Sequence, residues 1–130
     1  MHFQGILLAV IMPVTAVAKG VSCEDSHPEC YFFRPPWHLV DKGMYKVQDD
    51  RTWKSGQRIL CGIRKPGPGS ICISVENMKK PNITGAEIKE LWKVLHAKRC
   101  PTCGRVDMEN DPGYLKLDYN PRTDCSGACT

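Results

Sequence analysis

Eight cysteines constrain this 130-residue chain more than any other feature: Cys23, Cys30, Cys61, Cys72, Cys100, Cys103, Cys125 and Cys129, all after residue 18. An even number in a short secreted chain reads as four disulfides formed in an oxidising compartment. The count alone leaves roughly 105 pairings open. Ahead of the cysteines, Gly5-Ile6-Leu7-Leu8-Ala9-Val10-Ile11-Met12 is an apolar run broken by Pro13. It is too short for a bilayer span of roughly 20 residues. The run leads to Ala16-Val17-Ala18, small residues of the kind a signal peptidase reads, although no Lys or Arg precedes it. Residues 1–18 are therefore expected to be a cleaved signal peptide, and 19–130 a single extracellular domain.

Charge narrows the partners. Eighteen Lys+Arg against 14 Asp+Glu leave a net +4, which favours approach to an anionic cell surface. It is far below the charge density of a nucleic-acid binder. At 42% hydrophobic and 25% charged residues the chain reads as neither disordered nor a membrane protein.

Periodicity places the elements. Lys19 to Pro36 reads as an irregular leading segment. From His38 to Asp50, Leu39, Val40, Met44 and Val47 fall near a helical stripe that Gly43 weakens. Arg58 to Ile63 reads as a strand, Pro66-Gly67-Pro68-Gly69 as a turn, and Ser70 to Val75 as a second strand with Ile71, Ile73 and Val75 on one face. Thr84-Gly85-Ala86-Glu87 is a capping box. Ile88, Leu91, Trp92 and Leu95 follow on one face of a helix over 85–98 that stops before Pro101. Tyr114 to Tyr119 alternates as a last strand. The sum is an α+β fold, an antiparallel sheet with helices on one face.

Several motifs bear on chemistry. Cys100-Pro101-Thr102-Cys103 has the spacing of a redox pair or half a zinc site. No second metal motif accompanies it, and it follows a helix rather than opening one, so two structural half-cystines are expected. Asp107, Glu109, Asp111 and Asp118 approach calcium-loop spacing, but Pro112 stands where an EF-hand needs glycine, and a polar turn is expected instead. His27, His38 and His96 stand in no nucleophile signature. The carboxylates Asp49, Asp50, Glu87 and Glu90 offer a hydrolase only a generic pairing. Neither an enzyme, a cofactor, a metal nor a small-molecule substrate is expected. Asn82-Ile83-Thr84 is an N-glycosylation sequon. Arg64-Lys65 and Lys79-Lys80 stand near the two ends of the second strand, and with Arg58 they make either one basic edge or a solvated face.

The order of these features resembles a known family. Val21-Ser22-Cys23 with Cys30, Trp53-Lys54-Ser55-Gly56-Gln57-Arg58-Ile59-Leu60-Cys61-Gly62, Gly69-Ser70-Ile71-Cys72-Ile73, the helix running into Cys100, Cys103 and Gly104, and Gly113-Tyr114-Leu115-Lys116-Leu117-Asp118-Tyr119 followed by Cys125 and Cys129 are similar to segments of the secreted killer toxins of the smut-fungus virus-encoded type (KP-four-like). The resemblance implies a two-layer α/β sandwich with two antiparallel helices on one face of an antiparallel sheet. It also implies the bridges Cys23–Cys100, Cys30–Cys103 and Cys61–Cys125, leaving Cys72–Cys129. It implies a monomeric toxin that inhibits growth of target cells by blocking voltage-gated calcium channels, its partner being a membrane ion channel or other cell-surface protein. Arg58, Arg64 and Lys65, supported by Lys79 and Lys80, are then the expected target-binding residues. Where the type member carries a denser basic run, this chain has Ile59-Leu60 before Cys61, leaving Arg58 as the nearest cation. The alternative is a secreted effector or inhibitor that binds a partner protein on the same scaffold without channel block.

Overall fold

The computed structural model describes residues 18–23, 30, 37–63, 70–121 and 127–129. Its centre is a six-stranded antiparallel sheet built from β1 (Ala18–Ser22), β3 (Arg58–Ile63), β4 (Ser70–Glu76), β6 (Gly104–Met108), β7 (Tyr114–Asn120) and β8 (Gly127–Ala128), in the order β1-β6-β7-β4-β3-β8. A separate pair joins β2 (Thr52–Trp53) to β5 (Ile83–Thr84). The helices are α1 (Trp37–Met44) and α2 (Gly85–Lys98).

Alternation drives the sheet. On β4 the apolar set Ile71, Ile73 and Val75 faces the core, and on β7 Leu115 and Leu117 do the same. These side chains form one cluster with Val40 and Met44 of α1 and with Ile88, Leu91 and Leu95 of α2. The stripes of both helices therefore share one core with the sheet. Among the described residues no helix is long and apolar enough to cross a membrane.

The start of α2 is fixed by its own sequence. Thr84 Oγ1 accepts the Glu87 N–H at 3.2 Å, and Glu87 reaches back to the Thr84 N–H at 3.3 Å, which makes the capping box. The two preceding orphan donors find carbonyls: Gly85 N–H donates to Arg51 O at 2.8 Å and Ala86 N–H to Asp49 O at 3.1 Å. For this the 48–51 loop must lie directly on the helix end. Only glycine fits at 85, because a methyl group there would collide with the Gln48 carbonyl.

Two expectations are corrected here. The first helix ends at Met44 rather than Asp50; Lys46 and Val47 donate to carbonyls three residues back, in turns. Val47 stays buried, so the apolar stripe outlives the helix. The leading segment is not wholly irregular, since Ala18–Ser22 pairs with β6 as an edge strand.

The bridges also depart from expectation. Cys23–Cys100 and Cys30–Cys103 link the segment before α1 to the far end of α2. Cys61, however, is bonded to Cys72, not to Cys125, and Cys72 is thereby not bonded to Cys129. The cause is register: Cys61 lies directly opposite Cys72 across β3 and β4, with Cα atoms 4.2 Å apart. That matches the roughly 4.5 Å of a narrow antiparallel pair, where side chains come closest. Three disulfides thus join described residues. Cys129 is disulfide-bonded too, to a partner outside them, and packs against the Cys61–Cys72 bridge.

Candidate target-binding surface

The sheet face opposite the core side chains Ile73, Val75, Leu115 and Leu117 carries polar side chains in rows set by strand pairing. Arg58 pairs with Ser74, Ser74 with Lys116, Lys116 with Arg105, and Arg105 with Ser22. One row therefore runs across five strands and holds three cations. Strands lie about 4.8 Å apart, which puts the Arg58 and Lys116 backbones roughly 10 Å from each other. Lys116 and Arg105 are direct neighbours, an arrangement that repels unless it is screened.

Acidic residues in the adjacent rows screen it. Glu76 and Asp107 flank Tyr114 on one side, and Asp118 stands beside Cys72 on the other. Lys116 Nζ lies 3.9 Å from Glu76 and 3.7 Å from Asp118, while Arg105 Nε lies 3.3 Å from Asp107. The Arg105 guanidinium also covers the Tyr114 ring at 4.3 Å. Over this lattice Arg58, Ser74, Glu76, Lys116, Tyr119 and Asn120 border a polar cleft of about 190 Å³.

At the end of the sheet where Arg58 enters β3, three turns are tied together. In the first, Gly56 takes φ 85° and donates to Val75 O at 2.7 Å, a left-handed position that suits glycine. Ser55 Oγ accepts the Met78 N–H at 2.7 Å, joining the first turn to the second. Asp111, in the third, accepts the N–H groups of Lys79, Lys80 and Gly113 at 2.7–3.1 Å. Burial pushes the Asp111 carboxyl up, but those donors and the Lys80 charge outweigh it and hold the carboxyl below its ordinary range.

The structure separates the expected basic residues. Lys79 is exposed on this braced end, and so is Lys54, the two following and preceding the hydrogen-bonded Met78 and Ser55. Lys80 faces inward instead, its Nζ 2.6 Å from Glu87 Oε2. Burial raises the Glu87 carboxyl, and the Lys80 hydrogen bond, the Thr84 donors and the Lys80 charge together bring it below its ordinary range. Lys80 thus ties the turn to α2. Arg64 and Lys65 lie outside the described residues. Asn82 is exposed just before the capping box.

The remaining motifs resolve into structure. Cys100 and Cys103 are half-cystines. Asp107, Asp111 and Asp118 do not converge: one pairs with Arg105, one holds the turns, and one sits 3.3 Å from Cys30 Sγ. Asp49, Glu87 and Glu90 each hold a lysine. Arg105 and Lys116 escape a reading from sequence, because nothing in one strand reveals which residues stand beside it. The polar-apolar alternation of Arg105-Val106-Asp107-Met108 is the signal that exposes the strand itself.

The sequence model of one family, Kp4, matches residues 6–119. No curated protein and no solved structure is matched by this chain.

Proposed function

Because this chain belongs to the Kp4 family of killer toxins, a family of toxins rather than enzymes, we propose that it is a secreted toxin that inhibits the growth of target cells by blocking voltage-gated calcium channels. The family match carries this reading, and the disulfides are consistent with life outside the cell. In this reading residues 1–18 are the leader that is removed, and the mature scaffold is a two-layer sandwich with antiparallel helices on one sheet face.

The braced end of the sheet supplies the contact. A channel mouth lined by acidic groups is blocked by a cation that is presented rigidly, because a mobile side chain loses entropy on binding. Lys79 and Lys54 stand exposed on turns held by side-chain-to-backbone hydrogen bonds, with Arg58 at the start of the adjoining strand. These three, rather than Lys80, are the cations that approach the target. Growth of susceptible fungal cells, measured with purified oxidised protein, tests the assignment. Lys54→Glu/Lys79→Glu should lose at least tenfold in potency with an unchanged circular dichroism spectrum. Full potency in that double variant would remove these residues from the contact.

A further inference from the structure

A second recognition feature lies on the helix side of the molecule, away from the cationic row. Between α1 and α2 is a cavity of about 250 Å³, smaller than the roughly 300–1,000 Å³ of sites for drug-sized ligands and suited to a single side chain. Met44 and Trp92, 1% and 2% exposed, form its floor. Tyr45, 75% exposed, stands at its rim, and Ala86 leaves it open on the α2 side. A largely solvated tyrosine beside a recessed apolar floor has the make-up of an interface anchor.

The charges of the cavity select the occupant. Both lysines on its wall are neutralised: Lys89 Nζ lies 2.7 Å from Asp49, and Lys93 Nζ lies 2.9 Å from Glu90. Among the described residues, Asp41 is the wall carboxylate that no lysine or arginine holds. Its Oδ1 accepts Trp92 Nε1–H at 2.8 Å, with His96 Nδ1 at 3.5 Å, and at 28% exposure it is open to solvent. On a protein of net +4, the cavity is a negatively biased exception. Aromatic surface, an apolar floor and one carboxylate complement a cation carried on an apolar stem. Arginine meets this best, since its planar guanidinium both stacks on rings and hydrogen-bonds to a carboxylate.

We infer that the cavity between α1 and α2 receives an arginine side chain of a partner protein, its stem against Met44 and Trp92 and its guanidinium between Tyr45 and Asp41. This contact is independent of the cationic end of the sheet, so either assignment can fail without the other. The test is a 15N–1H NMR titration of the full oxidised chain with acetyl-Gly-Arg-Gly-amide, run against acetyl-Gly-Gln-Gly-amide. Saturable shifts are expected at Met44, Tyr45, Ala86 and the Trp92 indole, with the glutamine peptide at least fivefold weaker. Ala86→Leu, at an exposed helix position, should plug the cavity and weaken arginine binding at least fivefold. Tyr45→Ala should do the same and serves should the first variant misfold. Equal affinity for the two peptides, shifts confined to other regions, or undiminished binding by a folded plugged variant would each overturn the inference.

Discussion

Single residues decide where the second helix begins. Gly85 sits under the Gln48 carbonyl with no room for a methyl group. Gly85→Ala should therefore lower stability by about 1–3 kcal/mol in a urea melt, the usual range for overpacking. Helix propensity alone predicts the opposite, a gain of up to about 1 kcal/mol. Two carboxyls, Glu87 and Asp111, are held below their ordinary range in the fold. A depressed carboxyl contributes stability above its unfolded pKa and loses it as pH falls through the folded one. The thermal midpoint should thus drop as pH falls below about 4.5, and Glu87→Gln should flatten that decline while lowering the midpoint at pH 7. The Thr84–Glu87 box was legible in the sequence because every partner lies within three residues. The Asp111 clamp was not: two of its three donors lie about thirty positions away, and the 107–118 segment read only as a polar turn.

Elements differ in how much of themselves they write into local sequence. The helix over 85–98 and the strands from Arg58 and Ser70 carry their own periodicity and appear where it puts them. The edge strand Ala18–Ser22 has Gly20 at its centre, and its pairing with β6 supplies the order that its residues do not. The end of α1 at Met44 is likewise tertiary, with Gly43 lying against Leu60 of β3. Register explains the bridge that the resemblance missed, since no count of cysteines shows that Cys61 faces Cys72. Loop closure makes the bridges unequal: Cys23–Cys100 closes 77 residues and Cys61–Cys72 only 11. Chain-entropy estimates give about 4.5 and 3 kcal/mol respectively. Replacing Cys23 and Cys100 by serine should accordingly cost more stability than replacing Cys61 and Cys72, as read from paired denaturant melts. Peptide mapping under non-reducing conditions should recover the Cys61–Cys72 link.

For the whole molecule, one sheet separates two chemistries. One set of strand positions is apolar and shares a core with both helices; the alternate set carries a row of cations, with Lys116 and Arg105 beside carboxylates. The braced turns at the Arg58 end place Lys54 and Lys79 in solvent on a support tied across three loops. That division was visible in outline from alternation along each strand, whereas the cation row exists only once the strands are paired. The central claim is that this end blocks calcium entry, and whole-cell voltage clamp of susceptible fungal cells tests it most directly. Purified oxidised protein should reduce the inward calcium current, and Lys54→Glu/Lys79→Glu should restore it. An unchanged calcium current in cells whose growth the protein arrests would contradict the account.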